Sequence, residues 1–292
     1  MSKLEIPPAP NPLIKPVLQD DAFLADVDSV RAQKKQFHLW WLGQSGFLLQ
    51  FQERFALIDP YLSDSLTAKY AETETPHIRM TERVIAPERL GFAEVISSSH
   101  NHTDHFDPDT IKAVWAANPK LQVLLPEANR GVGAFRIQKS PKELIGAEAG
   151  LTKSIANFRF HGIPAAHNEL EKDQWDRHKF LGYVIEFGPY RIYHSGDTLV
   201  YDGIADWVRP FKVDVAILPI NGNKPERKVA GNLDGLEAAR LAKAINARIV
   251  IPCHYEMFTF NTASPDEFVA ECGKIGQECK VMKAGERWTS PW

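Results

Sequence analysis

The chain has 292 residues, 44% apolar and 24% charged, a composition that fits a soluble globular protein with a sizeable core and excludes disordered and fibrous classes. Its formal net charge of −3 supplies no global positive field, so no nucleic-acid partner is expected. No apolar run approaches the roughly 18 residues of a membrane span. Residues 1–16 lack the basic-then-apolar order of a secretory signal, and the three cysteines form no even disulfide set, so cytoplasm is the expected compartment.

Residues 1–16 are rich in proline, which disfavours regular structure and predicts an arm laid over the surface. "DDAFLADVDSVRAQKK" then reads as a short helix, and together these make an expected N-terminal extension, residues 1–35, ahead of a domain spanning residues 36–292. From "FHLWWLGQSGFLLQF" onward, short β-type runs alternate with helical segments, the pattern of an α/β protein. Strands are predicted at "FHLWW", "GFLLQF", "RFALID", "AEVISSS", "LQVLLP", "IANFRFHGIPA", "LGYVIEF", "YRIYHSG", "VDVAILPI" and "ARIVIPC". Three helices carry start signals: Asp107 before Pro108, a capping box of Ser264 with Glu267, and a similar pairing of Asp234 with Glu237. "GFLLQFQERFALIDP" and "GYVIEFGPYRIYHSGD" both read as strand, turn and strand ending in aspartate, a pattern compatible with two related halves.

The stretch "SSSHNHTDHFDP" places three histidines and an aspartate between His100 and His105, after a strand and before a capped helix. Sites in α/β proteins concentrate in such loops at the carboxyl ends of strands. In extended backbone His100 and His102 point to the same side and can meet one cation, while the turn carries Asp104 and His105 toward a second. Imidazole nitrogen and carboxylate oxygen suit Zn, Mn or Fe, whereas Ca and Mg favour oxygen shells. Further ligands are sought at other strand ends, where His167, Asp197 and His254 stand.

With these residues in place the sequence resembles the metallo-β-lactamase fold hydrolases. Five motif regions carry the resemblance in order: the aspartate of "ALIDP", the "HNHTDH" loop, and the "PAAH", "HSGDT" and "IPCH" segments. Within that superfamily the stretches "LWWLGQSGFLL", "YHSGDT", "VDVAILPINGN" and "NARIVIPCHYEMF" look most like the L-ascorbate-6-phosphate lactonase group. "PAAH" and "LIDP" also resemble N-acylphosphatidylethanolamine phospholipase D relatives. The resemblance implies a four-layer αββα sandwich with two divalent metal ions at one edge. It assigns His100, His102 and His167 to the first ion, Asp104, His105 and His254 to the second, and Asp197 to a bridge between them. Asp59 is expected to orient a ligand from behind. His167 gives a fuller ligand set than the lactonase group always keeps.

The expected chemistry is hydrolysis by a hydroxide shared between two ions about 3.5 to 4 Å apart, with Asp104 and Asp197 as the carboxylates at the reacting centre. The leading substrate class is a lactone or ester of a small polar molecule such as a phosphorylated sugar. Cleavage of a phosphodiester, in a cyclic nucleotide or a lipid, is the enzymatic rival, and a metal-loaded binding protein without turnover is the alternative of another class. A diiron redox relative would be expected to replace His102 with glutamate. His178, Asn221 and Tyr255 are candidates for substrate contact; His38, His77, His161 and His194 are read as non-ligands, with His194 nearest the site. Self-association stays open.

Overall fold

In a computed structural model, which describes residues 6–292, β1 (His38–Gly43), β2 (Gly46–Phe51) and β3 (Arg54–Ile58) form an antiparallel meander. The β2–β3 turn holds Gln52 and Glu53 at φ 49° and 65°, the left-handed pair that matches the twist of a two-residue hairpin. After β3 the sheet turns parallel through β4 (Val95–Ser97), β5 (Gln122–Pro126) and β6 (Ile145–Ala147). A short strand near the C-terminus, Arg287–Thr289, closes the other edge against β1 and makes seven strands.

The second sheet repeats this plan. Antiparallel strands β7 (Thr152–Ile155), β8 (Phe158–Pro164), β9 (Leu181–Phe187) and β10 (Tyr190–His194) are followed by parallel β11 (Val215–Pro219) and β12 (Ile249–Cys253). The hairpins β2–β3 and β9–β10, the two segments that read alike in sequence, thus hold corresponding places. Aromatic side chains join the sheets: the Phe37 ring lies 5.2 Å from Phe187 and 4.8 Å from Tyr190, and Phe51 lies 5.5 Å from Phe187.

Helices cover the outer faces. α1 (Asp20–Val30) buries Phe23, Val27 and Val30, with Phe23 edge-on to Trp40. α2 (Ser65–Tyr70) stands by the loop that follows β3. α3 (Pro108–Ala117) and α4 (Arg130–Ile137) belong to the first sheet, and α5 (Ile204–Val208), α6 (Gly235–Ala244) and α7 (Asp266–Ile275) to the second. This is the four-layer αββα arrangement. None of the described helices is long and apolar enough to cross a membrane.

Local signals decided most of these elements, with exceptions. Asp107 caps α3 by accepting from the Asp109 N–H, and Asp234 with Glu237 forms a reciprocal capping box on α6. The box expected at Ser264 and Glu267 does not form: Ser264 Oγ is 2.6 Å from Asp266 Oδ2, and Pro265 takes the cap position. "IANFRFHGIPA" is not one strand, because Ala156 and Asn157 adopt left-handed φ of 49° and 68° and fold it into the β7–β8 hairpin. Along the proline-rich arm, the Ile14 N–H donates to Met80 and that of Val17 to Ala284, while residues 1–5 lie outside the described residues.

Candidate metal centre

The carboxyl ends of β3, β4, β10 and β12 meet along one edge of the sandwich, where the chain leaves regular structure abruptly. Asp59 after β3, Gly196 after β10 and His254 after β12 have φ of 42°, 59° and 64°. Left-handed backbone at non-glycine residues costs energy and clusters at functional sites. Glycine is required at position 196, since a Cβ there would meet Ser99 Cβ at 2.5 Å and the Leu181 carbonyl at 2.9 Å.

Seven side chains converge there in two neighbouring groups. His100, His102 and His167 form one and Asp104, His105, Asp197 and His254 the other, with the ligand-type atoms of each group within 4.8 Å of one another. In the first group the ring centroids lie 4.6 Å (His100–His102), 5.4 Å (His100–His167) and 5.1 Å (His102–His167) apart. In the second, Asp104 Oδ2 is 3.6 Å from His105 Nε2 and 3.5 Å from His254 Nε2. Asp197 Oδ2 touches both groups, 3.6 Å from His167 Nε2, 3.2 Å from His105 Nε2 and 3.4 Å from His254 Nε2.

Each of three imidazoles is held by its other nitrogen. His105 Nδ1 donates to Asp59 Oδ2 at 2.6 Å, His167 Nδ1 to the Gly231 carbonyl at 2.9 Å, and His100 Nδ1 to Ser99 Oγ at 3.0 Å. Ser99 in turn donates its hydroxyl to Asp59 Oδ2 and its N–H to Asp59 Oδ1. These bonds fix the tautomer that leaves Nε2 as a lone-pair donor facing inward, the arrangement a metal-ligating histidine requires. His100 Nε2, His105 Nε2 and Asp197 Oδ1 are buried without a hydrogen-bond partner. Buried polar atoms are ordinarily paired, so an inward-facing set of unpaired nitrogen and carboxylate donors fits divalent transition metals such as Zn or Mn.

Electrostatics agrees. Burial opposes charge on His254, yet the Asp197 and Asp104 carboxylates overcome it and push the imidazole up to about 9. His105 is likewise raised well above its ordinary value against burial, by Asp197, Asp104 and Asp59. Asp104 and Asp197, despite burial, sit well below the carboxylate range because of His105 and His254. The site therefore calls for positive charge among its acids.

The groups open on a cleft of about 870 Å³ that is also lined by Lys69, Tyr70, His77, Arg136, Lys228 and Asn232. These residues were absent from the sequence reading, apart from His77, which it set aside as a non-ligand. Arg136 ties α4 to the metal loop by donating to the Asn101 carbonyl and to Thr103 Oγ1. Two of the proposed substrate contacts lie behind the wall. Tyr255 is buried against Trp41, with ring centroids 4.4 Å apart, and its hydroxyl donates to the Met282 carbonyl. Asn221 is buried as well, bonded to Asn261 and Asn232, which do line the cleft. His178 pairs with Lys172 on the β8–β9 connection and is not among the lining residues. His194 is next to the site as expected, its Nε2 donating to the Ser45 carbonyl.

A family model described as a beta-lactamase superfamily domain matches residues 38–254, from the first residue of β1 to the last of the seven clustered side chains. The chain belongs to that superfamily. It is 28% identical over 249 residues to a UPF0173 metal-dependent hydrolase of Methanosarcina mazei, covering 84% of this chain and 95% of the relative. A relative of the same description from Thermoplasma acidophilum is 29% identical over 243 residues, covering 81% and 91%. Among solved structures, an isothiocyanate hydrolase from Delia radicum gut bacteria superposes with a TM-score of 0.66 at 19% identity, covering 86% of this chain and 98% of that one. CmlA, a diiron beta-hydroxylase from Streptomyces venezuelae, superposes with a TM-score of 0.64 at 14% identity, covering 88% and 54%. The superfamily fold thus carries different chemistries, and what this chain does must be argued from its site.

Proposed function

We propose that this protein is a metal-dependent hydrolase that uses two divalent cations, Zn or Mn with Fe also compatible, to open a lactone or cleave an ester of a small polar substrate. The observation that carries the reading is Asp197 Oδ2, which lies within 3.6 Å of imidazole nitrogens from both groups. His100, His102 and His167 would hold one cation, Asp104, His105 and His254 the other, with Asp197 between them. Such cations supply Lewis acidity and bring the pKa of water toward about 7.

The protein's own groups do the rest. Asp59 and Gly231 hold two imidazoles in one tautomer, so the ligand set is organised before substrate arrives. Asp104, partly exposed at the cleft, is the carboxylate placed to exchange a proton with the reacting centre. Lys69, Arg136 and Lys228, the last paired with Glu74 at 2.7 Å, line the same cleft and favour a substrate bearing a phosphate or carboxylate, in keeping with a phosphorylated sugar derivative. These three cations also support a second reading, cleavage of a phosphodiester, since the same cation pair serves that centre.

Metal analysis of purified protein, with a panel of sugar lactones, carboxylic esters and phosphodiesters, tests the proposal. Two equivalents of metal with lactone or ester turnover, abolished in a folded Asp197→Ala variant, are expected. Turnover confined to phosphodiesters would promote the second reading, and full activity in rigorously metal-free protein would overturn both.

A further inference from the structure

The two-residue link between β1 and β2, Gln44–Ser45 in "LGQSG", brings no histidine, cysteine or carboxylate to the metal centre, yet it is held there by several hydrogen bonds. Gln44 is fully buried and has φ of 51°. Its carbonyl accepts from the Trp41 indole at 3.0 Å and from the backbone N–H of His254 at 2.9 Å, and the Ser45 carbonyl accepts from His194. The turn is thereby fastened to the strand end that presents His254.

The side chain reaches into the second group. Gln44 Nε2 is 2.9 Å from Asp104 Oδ2 and 3.0 Å from His254 Nε2, while those two atoms are 3.5 Å from each other. The amide forms the third corner of a triangle with two of the proposed ligands. Its own Oε1 is buried with no partner. A left-handed non-glycine backbone and a half-satisfied buried amide are both unfavourable, and Leu or Met would fill the same volume without the second cost. What they would lack is an N–H aimed at Asp104.

We propose that Gln44 is a positioning residue for the second cation: by donating to Asp104 Oδ2 it holds that carboxylate in the rotamer that faces His105 and His254. The amide also keeps this corner neutral, so the charge balance of the ligand set is unchanged. The inference rests on the dinuclear reading above and adds a residue to it that does not come from the ligand pattern. It makes the two cations respond differently to one substitution, because among the described residues Gln44 bonds to none of His100, His102 and His167, of which Ser99 holds His100 and Gly231 holds His167.

The test uses metal-stripped wild type, Gln44→Met and Gln44→Gly, titrated with Co(II) and followed by visible absorption and calorimetry. Methionine keeps the volume and removes the N–H, whereas glycine removes the side chain but accepts the left-handed φ, so a loss shared by both variants is not a packing or strain effect. Wild type is expected to take two equivalents. In both variants one equivalent should bind as in wild type and the other about ten- to a hundredfold more weakly, the range typical of a lost contact to a ligand. Wild-type binding of both equivalents in either folded variant, or equal weakening of both, would overturn the inference and leave the dinuclear reading standing. Fewer than two equivalents in wild type would instead sink the dinuclear reading, and the role of Gln44 with it.

Discussion

Asp59 is fully buried behind the cleft, and both of its carboxylate oxygens are committed: Oδ1 to the Ser99 N–H, and Oδ2 to Ser99 Oγ and His105 Nδ1. It therefore orients His105 directly and His100 through Ser99. Asp59→Asn keeps the shape while weakening the acceptor that His105 relies on. The protein should fold and lose about ten- to a hundredfold in metal affinity by calorimetric titration; unchanged affinity would reduce Asp59 to a turn residue. The seven clustered residues were legible because histidine is scarce, ten in the chain, and its spacing at strand ends is itself informative, whereas the role of Asp59 came from the family resemblance. Gln44 and Arg136 were not, since amide and guanidinium side chains occur in every role and only the folded chain reveals which atoms they meet. Tyr255 and Asn221 show the converse error. Adjacency to His254 or to a strand end located them near the site, but the left-handed turn at His254 sends Tyr255 into the core, where its ring packs on Trp41.

At the scale of elements, short apolar β-type runs located the long strands, several of which are buried along their whole length, and both recognised hairpins lie where sequence alone put them. What escaped were short or unmarked pieces. β6 and the C-terminal edge strand are three residues each, too short for periodicity, and the Ala156–Asn157 turn lacks the glycine that usually marks a two-residue hairpin. α1 is a subtler case. Sequence reading grouped it with a proline-rich extension, residues 1–35, outside the domain proper. In the fold its apolar side joins the main core: Phe23 and Val27 are fully buried, Phe23 meets Trp40, and the Trp40 indole donates to Asp26 at 2.8 Å. Phe23→Ala should therefore cost about 3–5 kcal/mol, the range for a fully buried aromatic, as measured by urea unfolding. A cost under about 1 kcal/mol, the range of surface changes, would show that α1 is an extension on which the domain does not depend.

For the whole molecule, two sheets of the same plan lean together so that their strand ends share one seam, and the seam collects carboxylates and imidazoles in a buried place. Without cations, protons serve as the compensating charge. His254 is raised from 6.5 to about 9 in the folded protein, with burial opposing the shift and Asp197 and Asp104 driving it, and His105 is raised as well. A folded state that holds a proton more tightly than the unfolded chain is stabilised by it below about pH 6.5 and loses that contribution as pH climbs through about 9. Bound cations displace these protons, because ligating imidazoles are neutral, so metal binding releases protons and strengthens as pH rises. Scanning calorimetry of stripped and metal-loaded protein across this range should find the melting temperature of the stripped form falling with pH and its distance below the loaded form widening. A gap that narrows from pH 6.5 to 9 would mean that the protons and the cations do not compete for the same nitrogen atoms, and the seam would then be an ion-paired core instead of a metal site.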